Sequence, residues 1–262
     1  MADSISHQIH SLPTDREIEY PESDGKPMAE TDVHRDLMID FIQMLKAHFQ
    51  SESDIYVSGN LLLYYEKGNP RRSVAPDVFV VKGIENRQRR NYLLWEEGKS
   101  PDFVLELSSE TTYRHDLNRK KRLYAQVLEV EEYFLYDPNH QYLNPPLQGH
   151  RLVDGTYVEI APVDDRLPSQ VLGLELGLKT EGDLGLYNPH TQTWLLPLEE
   201  RADQAEARAG QAEARADQAE ARAGQAEALA QQESLARQQA EAELARLRAE
   251  LQRRLTQSTK DQ

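Results

Sequence analysis

One glutamate stands inside an otherwise apolar run of the sequence. The segment DFVLELS places Glu106 between Leu105 and Leu107, where a buried strand is expected. A carboxylate in that position is unfavourable unless a cation or hydrogen-bond donors compensate it. Asp77 opens a second apolar run, APDVFVV. If the two runs form neighbouring strands, both carboxylates can converge on one Mg²⁺ or Mn²⁺, which needs few protein ligands and keeps reactive water.

A third group of polar residues follows the Glu106 run. Asp116, Lys120 and Tyr124 are each four residues apart and so share one face of a helix. A lysine beside two metal-bound carboxylates can orient or help deprotonate an attacking water and neutralise phosphate charge. Simpler roles stay open: Asp77 as a turn residue, Glu106 paired with an arginine, Asp116 as a helix cap and Lys120 as a solvated side chain. The combination in this order favours the metal site.

The elements that must position these residues are predicted from hydrophobic periodicity. Apolar residues at helical spacing predict a helix from Thr31 to Phe49, and a second helix is expected from Asp116 to Leu128. Short apolar runs with Pro and Gly between them predict strands. These runs are 55–57, 61–65, 78–81, 103–107, 133–136, 151–153, 157–160, 172–178 and 184–187. The mixture indicates an α/β or α+β domain with a mixed sheet.

Composition excludes several classes of protein. The 262 residues include no cysteine, which rules out a disulfide scaffold and cysteine-ligated metal sites. Zinc-ligand spacing, a phosphate-binding glycine loop and a nucleophile elbow are not found either. No apolar run is long enough for a bilayer and the first residues do not resemble a secretory signal, so we expect a cytoplasmic protein without a membrane partner.

The charge is uneven along the chain. The formal net charge is −15, of which residues 1–200 carry −14 and residues 201–262 carry −1. Such an acidic body argues against a protein that simply coats nucleic acid. The arginines at 87, 89, 90, 114, 119 and 122 could form a local basic surface for phosphates, or they could be ordinary solvated charges.

The composition changes near residue 198, after the last proline at Pro197. We expect a flexible N-terminal arm over 1–26, a catalytic domain over 27–198 and a coiled-coil helix over 199–258. From Arg201 the chain repeats RA(D/G)QAEA with a period of seven. With Ala202 at position a, arginines fall at g and glutamates at e, which is typical of ion pairs between parallel chains.

The heptad pattern therefore predicts a homo-oligomer formed through residues 201–255. The alternative is a marginal solvated helix without a partner, because an alanine seam buries little area. Gly210 and Gly224 also each lower helix propensity by about 1 kcal/mol.

Four blocks of the sequence, in this order, resemble the Uma-two endonuclease family. They are Pro76-Asp77, Glu106-Leu107-Ser108, the segment DLNRKKRLY at 116–124 and EYFLYDP at 132–138. The family is assigned to the PD-(D/E)XK restriction-endonuclease-like superfamily, and the resemblance covers roughly residues 20–198. It implies a mixed sheet flanked by helices that acts as an Mg²⁺-dependent endonuclease on DNA. It also implies that Asp77 and Glu106 are metal ligands and catalytic residues.

The chain departs from the superfamily pattern at one position. The standard lysine two residues after the glutamate is replaced by Ser108. The resemblance implies that Lys120, on the following helix, takes its place, with Lys121 as a second candidate. Lys120 keeps the helical spacing to Asp116 and Tyr124, which are candidate supporting residues. Tyr124 could equally pack against the sheet. Such folds also draw an acid from the first helix.

Glu30 is the candidate for that acid from the first helix. The nearby His34 is more typical of a residue that packs or caps the helix start than of a metal ligand.

Two functions remain in competition. The intact set of two acids and a lysine favours a nuclease, paired by its tail for a double-strand cut. The acidic surface favours a non-catalytic interaction or assembly protein that uses a nuclease-like fold.

Overall fold

The computed structural model describes residues 18–23, 31–180 and 182–258. Contacts divide the chain into two units, Met1–Leu198 and Glu199–Gln262. None of the described helices is long and apolar enough to cross a membrane. Glu30, expected as a supporting acid, lies outside the described residues.

The first unit contains short strands and helices in a mixed order. In chain order its elements are α1 (Asp32–His48), β1 (Ile55–Ser58), β2 (Leu63–Tyr64), β3 (Ser73–Val74), β4 (Val78–Lys82), β5 (Tyr92–Leu93), α2 (Leu94–Glu97), β6 (Phe103–Leu107), α3 (Tyr113–His115), a π-helix (Asp116–Lys120), α4 (Lys121–Gln126), β7 (Glu132–Tyr136), β8 (Leu147–Val153), β9 (Thr156–Glu159), β10 (Arg166–Ser169), β11 (Leu174–Leu178), β12 (Leu184–Asn188) and β13 (Thr193–Trp194). The second unit is α5 (Leu198–Ser258), whose first residue falls in the first unit.

A six-stranded sheet forms the centre of the first unit, with the order β1-β4-β6-β7-β8-β9. Only β6 and β7 run parallel among its neighbouring pairs. Smaller sheets of four strands, β10-β11-β12-β13, and three strands, β3-β2-β5, complete it. The predicted fold class, a mixed sheet with helices and a long C-terminal helix, is confirmed.

Helix α1 packs on the central sheet as its periodicity predicts. The Thr31 side chain accepts a hydrogen bond from the His34 N–H at 3.3 Å and caps the first turn. Phe41 and Leu45 are fully buried in the core that α1 shares with the sheet. This helix therefore places its first turn, including His34, at the end of the sheet where β4 begins.

The second predicted helix differs from the expectation. A single helix was expected over Asp116–Leu128, but the chain forms α3, then a π-helical segment, then α4. A π-turn accommodates one residue more than an α-turn and is common at functional sites. Here it spans Asp116 to Lys120, two of the residues with candidate chemistry. In this segment Asp116 bonds to Ser108 and Lys120 bonds to Glu106, which are tertiary contacts that local propensity does not contain.

A buried glutamate joins two of the sheets. Glu132, at the start of β7, is 0% exposed. Arg151 donates to it at 2.8 Å, the Gln170 N–H donates at 2.9 Å and the Ser169 hydroxyl donates a short hydrogen bond. Because Ser169 ends β10, this carboxylate holds the four-stranded sheet against the central one.

Part of the stretch predicted as an arm is described and lies on the three-stranded sheet. The Tyr20 ring packs against Tyr64 and Trp95, with centroid distances of 5.2 and 4.9 Å. The Tyr20 hydroxyl accepts the Gly68 N–H at 2.6 Å.

Helix α5 of the second unit is continuous over 61 residues. Its side chains are exposed wherever they are described, including Leu229, Leu235, Leu244 and Leu247 at 50–57%. The long helix is thus confirmed, while its pairing as a coiled coil stays a prediction.

His150 in β8 makes the stability of the first unit depend on pH. It is 2% exposed and its ring lies 6.3 Å from that of Tyr133 and 6.1 Å from that of Tyr157. Burial, together with the positive charge of Lys121, lowers the pKa of His150 from 6.5 to about 4. Between these values the unfolded chain binds a proton that the folded chain does not. Stability is therefore full above pH 6.5 and falls as the pH drops towards 4.

Between pH 7 and 4.5 the free energy of unfolding of wild type falls because of His150. We predict that His150→Phe makes this fall about 2–3 kcal/mol smaller, because a phenyl ring keeps the packing and has no proton to bind. The measurement is the urea midpoint from pH 7 to 4.5, followed by the fluorescence of Trp95 and Trp194. The exposed His115→Ala variant serves as the control and should follow the wild-type profile. An equally steep fall in His150→Phe would contradict the assignment.

Candidate active site

The two candidate carboxylates lie on neighbouring strands of the central sheet. Strands β4 and β6 are antiparallel, and Val78 pairs with Leu105. Continuing this register by one residue places Asp77 opposite Glu106. Side chains that are opposite each other on neighbouring strands share one face of the sheet, with Cβ atoms about 5 Å apart. The strand pairing therefore brings the acids together, as the sequence required.

Asp77 is held by the backbone of β6 and by helix α1. Its Oδ2 accepts the Leu107 N–H at 2.7 Å, and its Oδ1 lies 3.5 Å from Nε2 of His34. Burial alone would raise the pKa of Asp77. Hydrogen bonding from His34, the positive charge of Lys120 and the Leu107 N–H outweigh that effect and hold the pKa below its ordinary value. Asp77 is therefore ionised at neutral pH.

The chain approaches Asp77 closely at one glycine. A Cβ on Gly59, after β1, would collide with the Asp77 carbonyl oxygen. The neighbouring Asn60 N–H donates to the Pro76 carbonyl at 2.8 Å. Glycine is required here because only a residue without a side chain lets these two segments touch.

Glu106 is fully buried and has two compensating partners. Lys120 Nζ lies 2.8 Å from its Oε2, and the Tyr124 hydroxyl donates to its Oε1 at 2.5 Å. Burial raises the pKa of Glu106 to about 8, and the nearby charges of Asp77 and Asp116 add to the rise, while Lys120 opposes it. The carboxyl group is thus the most perturbed acid of the site.

Lys120 bridges two buried acids. Its Nζ also lies 3.1 Å from Oδ1 of Asp116, which is 1% exposed. The Ser108 hydroxyl donates to the other oxygen of Asp116 at 3.0 Å. Burial by itself would lower the pKa of Lys120, but the charges of Glu106, Asp116 and Asp77 outweigh it and raise the pKa above its ordinary value. Lys120 is therefore a cation at neutral pH.

These groups meet at an open cleft of about 490 Å³. Asp77 and Lys120 reach it with side chains that are 14% and 23% exposed, while Glu106 lies beneath it. The cleft is lined by Thr31, Val33, His34, Asn60, Ala75, Asp77, Leu107, Ser108, Ser109, Glu110, Thr111, Thr112, Lys120, Pro138, Asn139 and Tyr142. A substrate group of a few atoms can therefore reach Asp77 and Lys120 from solvent.

The donor set suits a hard divalent cation. The described residues contain no cluster of three or more metal-ligating side chains. Mg²⁺ is usually bound by one or two carboxylates and keeps several waters, so Asp77 and Glu106 are sufficient in number and in chemistry. Each carboxylate oxygen also has a second lone pair beyond the contacts described above. The pair fits Mg²⁺ or Mn²⁺.

The structure brings together five of the residues singled out in the sequence. Asp77, Glu106, Lys120, Asp116 and Tyr124 form one connected set of hydrogen bonds and charges. Their catalytic and metal-binding assignments stay predictions.

Lys121, the second candidate lysine, lines a different pocket beside Arg122. Burial lowers the pKa of Lys121, and the negative charge of Glu159 opposes that effect.

Sequence reasoning missed two contributors to the site. His34 was expected to pack or cap, but its ring reaches Asp77. Ser108 was noted as the replacement for a lysine, and its hydroxyl holds Asp116, which in turn binds the relocated Lys120. A hydroxyl at the vacated lysine position was the available signal, since Ser108 follows Glu106 by two residues, directly after β6 ends.

Half of the arginines considered as a phosphate-binding surface are already paired. Arg87 and Arg89 bind Glu97 at 2.8 and 2.7 Å, and Arg90 binds Glu22. Their charges are thus compensated within the chain.

We predict that Tyr124→Phe lowers the free energy of unfolding by about 2 kcal/mol, because it leaves one oxygen of the fully buried Glu106 carboxyl group without the hydrogen bond that it accepts from Tyr124. The control is Tyr157→Phe, which removes a hydroxyl that donates to the neutral Val130 carbonyl at 2.9 Å. That variant should lose about 1 kcal/mol. Urea unfolding at pH 7 measures both, and a Tyr124→Phe variant as stable as wild type would refute the contact.

Of the comparisons with known proteins, the match to a family model bears on the family inferred from the four sequence blocks. A search among curated proteins finds no match. Among solved structures, the chain is similar to one described as "Crystal structure of a putative nuclease belonging to DUF820 from Anabaena variabilis ATCC 29413", with 15% identity over 56% of this chain and 76% of that chain and a TM-score of 0.41. The family described as "Uma2: Putative restriction endonuclease" matches residues 6–181. Since this match covers well over half of the sequence, the chain belongs to the Uma2 family of restriction-endonuclease-like proteins.

Proposed function

We propose that this protein is an Mg²⁺-dependent endonuclease that hydrolyses DNA phosphodiester bonds. One observation carries the proposal: a cationic Lys120 bridges the buried Glu106 and Asp116 at an open cleft, beside the ionised Asp77. Membership of a family of restriction-endonuclease-like proteins supports the same chemistry.

Asp77 and Glu106 are the residues that would hold the cation. Their side chains share one face of two neighbouring strands, and Asp77 also borders the cleft. When bound, Mg²⁺ or Mn²⁺ neutralises phosphate charge and lowers the pKa of a coordinated water. His34 and the Leu107 N–H fix the orientation of Asp77, and Tyr124 fixes that of Glu106.

Lys120 acts as a charge and a hydrogen-bond donor in this proposal. Because the surrounding carboxylates raise its pKa, it keeps its protons at neutral pH and does not serve as a base. Its ammonium group can hold a phosphate oxygen or the attacking water, and it stabilises the negative charge that develops in the transition state. Asp116, which accepts a hydrogen bond from Ser108, is a second partner that positions Lys120.

The acidic body of the protein limits how DNA can bind. With a net charge of −14 over residues 1–200, long-range attraction to phosphates is absent and any contact must be local to the cleft. We therefore expect weak, salt-sensitive binding rather than coating of the duplex.

We predict that Asp77→Asn, Glu106→Gln and Lys120→Met each lower the DNA cleavage rate at least about 100-fold, as expected when a transition-state charge loses its partner. The assay uses supercoiled, linear and single-stranded DNA with Mg²⁺ or Mn²⁺ and the full chain. Lys121→Met is the matched control, because it removes the adjacent lysine, which lines another pocket, and should retain activity.

Two outcomes would refute the mechanism. One is the absence of cleavage by wild type over broad conditions, which would favour the non-catalytic interaction protein. The other is equal activity in all four variants. Titration calorimetry with Mg²⁺ alone measures metal binding separately from cleavage. Asp77→Asn should lose the binding heat, and Lys121→Met should keep it.

We further propose that α5 pairs with the same helix of a second copy. In one unbroken heptad register Leu244 and Leu247 fall at a and d, while Arg208, Arg215 and Arg222 at g face Glu213, Glu220 and Glu227 at e of the neighbouring chain. The exposed leucines and this charge complementarity support a parallel homo-oligomer.

Leu235 offers a matched test of the pairing, since it is as exposed as Leu244 and Leu247 but falls at position f, away from the seam. We predict that Leu244→Glu with Leu247→Glu reduces the molar mass measured by light scattering to that of the monomer, as does a chain ending at Leu198. Leu235→Glu should leave the oligomer intact. An unchanged mass in the shortened chain would contradict assembly through the tail.

A further inference from the structure

An aromatic pair at the rim of the cleft takes no part in the proposed chemistry. Tyr142 lines the cleft and stacks on Tyr113, with ring centroids 5.4 Å apart and planes inclined by 24°. The Arg114 guanidinium lies 5.4 Å from the Tyr113 ring centre, and its Nε donates to the Tyr113 hydroxyl at 2.9 Å. Both tyrosines are half-buried. Tyr142, supported by Tyr113, is therefore an aromatic group on the lining of the cleft that Asp77 and Lys120 also line.

The loop that carries Tyr142 is fixed by one buried carboxylate. Asp137, after β7, is 0% exposed and accepts the N–H groups of Asn139 at 3.0 Å, Gln141 at 2.7 Å, Tyr142 at 2.5 Å and Leu143 at 3.1 Å. Burial alone would raise the pKa of Asp137, but these four donors lower it below its ordinary value. Asp137 thus stays ionised and holds the Tyr142 backbone in place before any ligand arrives.

Apart from His34 and Lys120, the remaining lining of the cleft is neutral or acidic. Hydroxyl and amide groups dominate it, from Asn60, Ser109, Thr111, Thr112 and Asn139. Among the described residues that line it, Lys120 is the one lysine or arginine, and two carboxylates already bind it. Glu110 adds a negative charge near Tyr142. The lining therefore gives no row of cations for successive phosphates, so affinity for a strand must come from contacts with bases.

We infer that Tyr142, supported by Tyr113, is a stacking platform for a nucleobase next to the scissile phosphate. The substrate class is then DNA with unpaired nucleotides at the cleavage point, as in a single strand, a flap or a gap. In an intact duplex each base is stacked on its neighbours and would have to leave the helix, at a cost, to reach the ring. The position of the scissile phosphate rests on the proposed nuclease function, whereas the stacking itself does not.

Binding of a single strand without turnover tests the platform. The probe is a short oligodeoxynucleotide that contains 2-aminopurine, whose fluorescence is quenched by stacking, compared with the blunt duplex of the same sequence in EDTA. Wild type should quench the single strand and bind it at least about tenfold more tightly than the duplex. Tyr142→Ala should weaken single-strand binding by about tenfold and remove the quenching. Tyr142→Phe keeps the ring and should retain both.

The control is Tyr187→Ala, which removes a half-buried tyrosine of β12 that also lies under a guanidinium, that of Arg166 at 4.1 Å. It should leave the affinity and the quenching unchanged. Thermal unfolding of Tyr142→Ala shows whether the fold is intact.

Tighter or equal binding of the duplex would overturn the inference. So would undiminished quenching in Tyr142→Ala, or an equal loss of affinity in Tyr187→Ala.

Cleavage is measured in parallel with Mg²⁺, so that the two proposals fail separately. Quenching that depends on Tyr142 in a protein that cuts no DNA would refute the nuclease and leave the platform. Cleavage with unchanged affinity in Tyr142→Ala would refute the platform and leave the nuclease.

Discussion

The compensation of one carboxylate, that of Glu106, is the constraint on which the architecture of the site depends. This side chain lies at the centre of the sheet with no solvent contact, so its charge needs partners that the apolar strands do not have. Lys120 and Tyr124 provide them from the segment that follows β6. Lys120 ends a π-helical turn that begins at Asp116, and Asp116 in turn accepts a hydrogen bond from Ser108.

A second buried glutamate, Glu132, is compensated by partners that only connect parts of the fold. Glu132 is equally inaccessible, but an arginine, a serine hydroxyl and main-chain N–H groups surround it at a junction between two sheets. The partners of Glu106 instead extend to an open cleft, where Lys120 is still partly exposed. Burial alone therefore does not identify a site; Glu106 differs from Glu132 because its compensating lysine lines an open cleft together with a second acid, Asp77.

The acidity of the chain and the composition of the cleft lead to the same view of substrate binding. A body with a net charge of −14 cannot attract a duplex over a wide surface, and the described cleft has a single lysine to offer. Arg87 and Arg89, which could have formed a basic surface, are paired with Glu97. Recognition then depends on short-range groups, namely a few hydroxyls and amides and the aromatic ring of Tyr142.

The sequence by itself determined the main helix and the central strands of the first unit and the residues that could carry chemistry. Helix α1 and strands β4, β6 and β7 were predictable because hydrophobic periodicity is a local property, and Asp77, Glu106 and Lys120 stood out because charges in or beside apolar runs demand compensation. Strand β10 was not predicted, since its four residues include Pro168, which is unfavourable in strands.

Only the tertiary structure decided the register that sets Asp77 opposite Glu106, the contact of His34 with Asp77 and the place of Tyr142 at the cleft. These depend on which distant segments meet, and that follows from the packing of the whole core, which no local pattern contains.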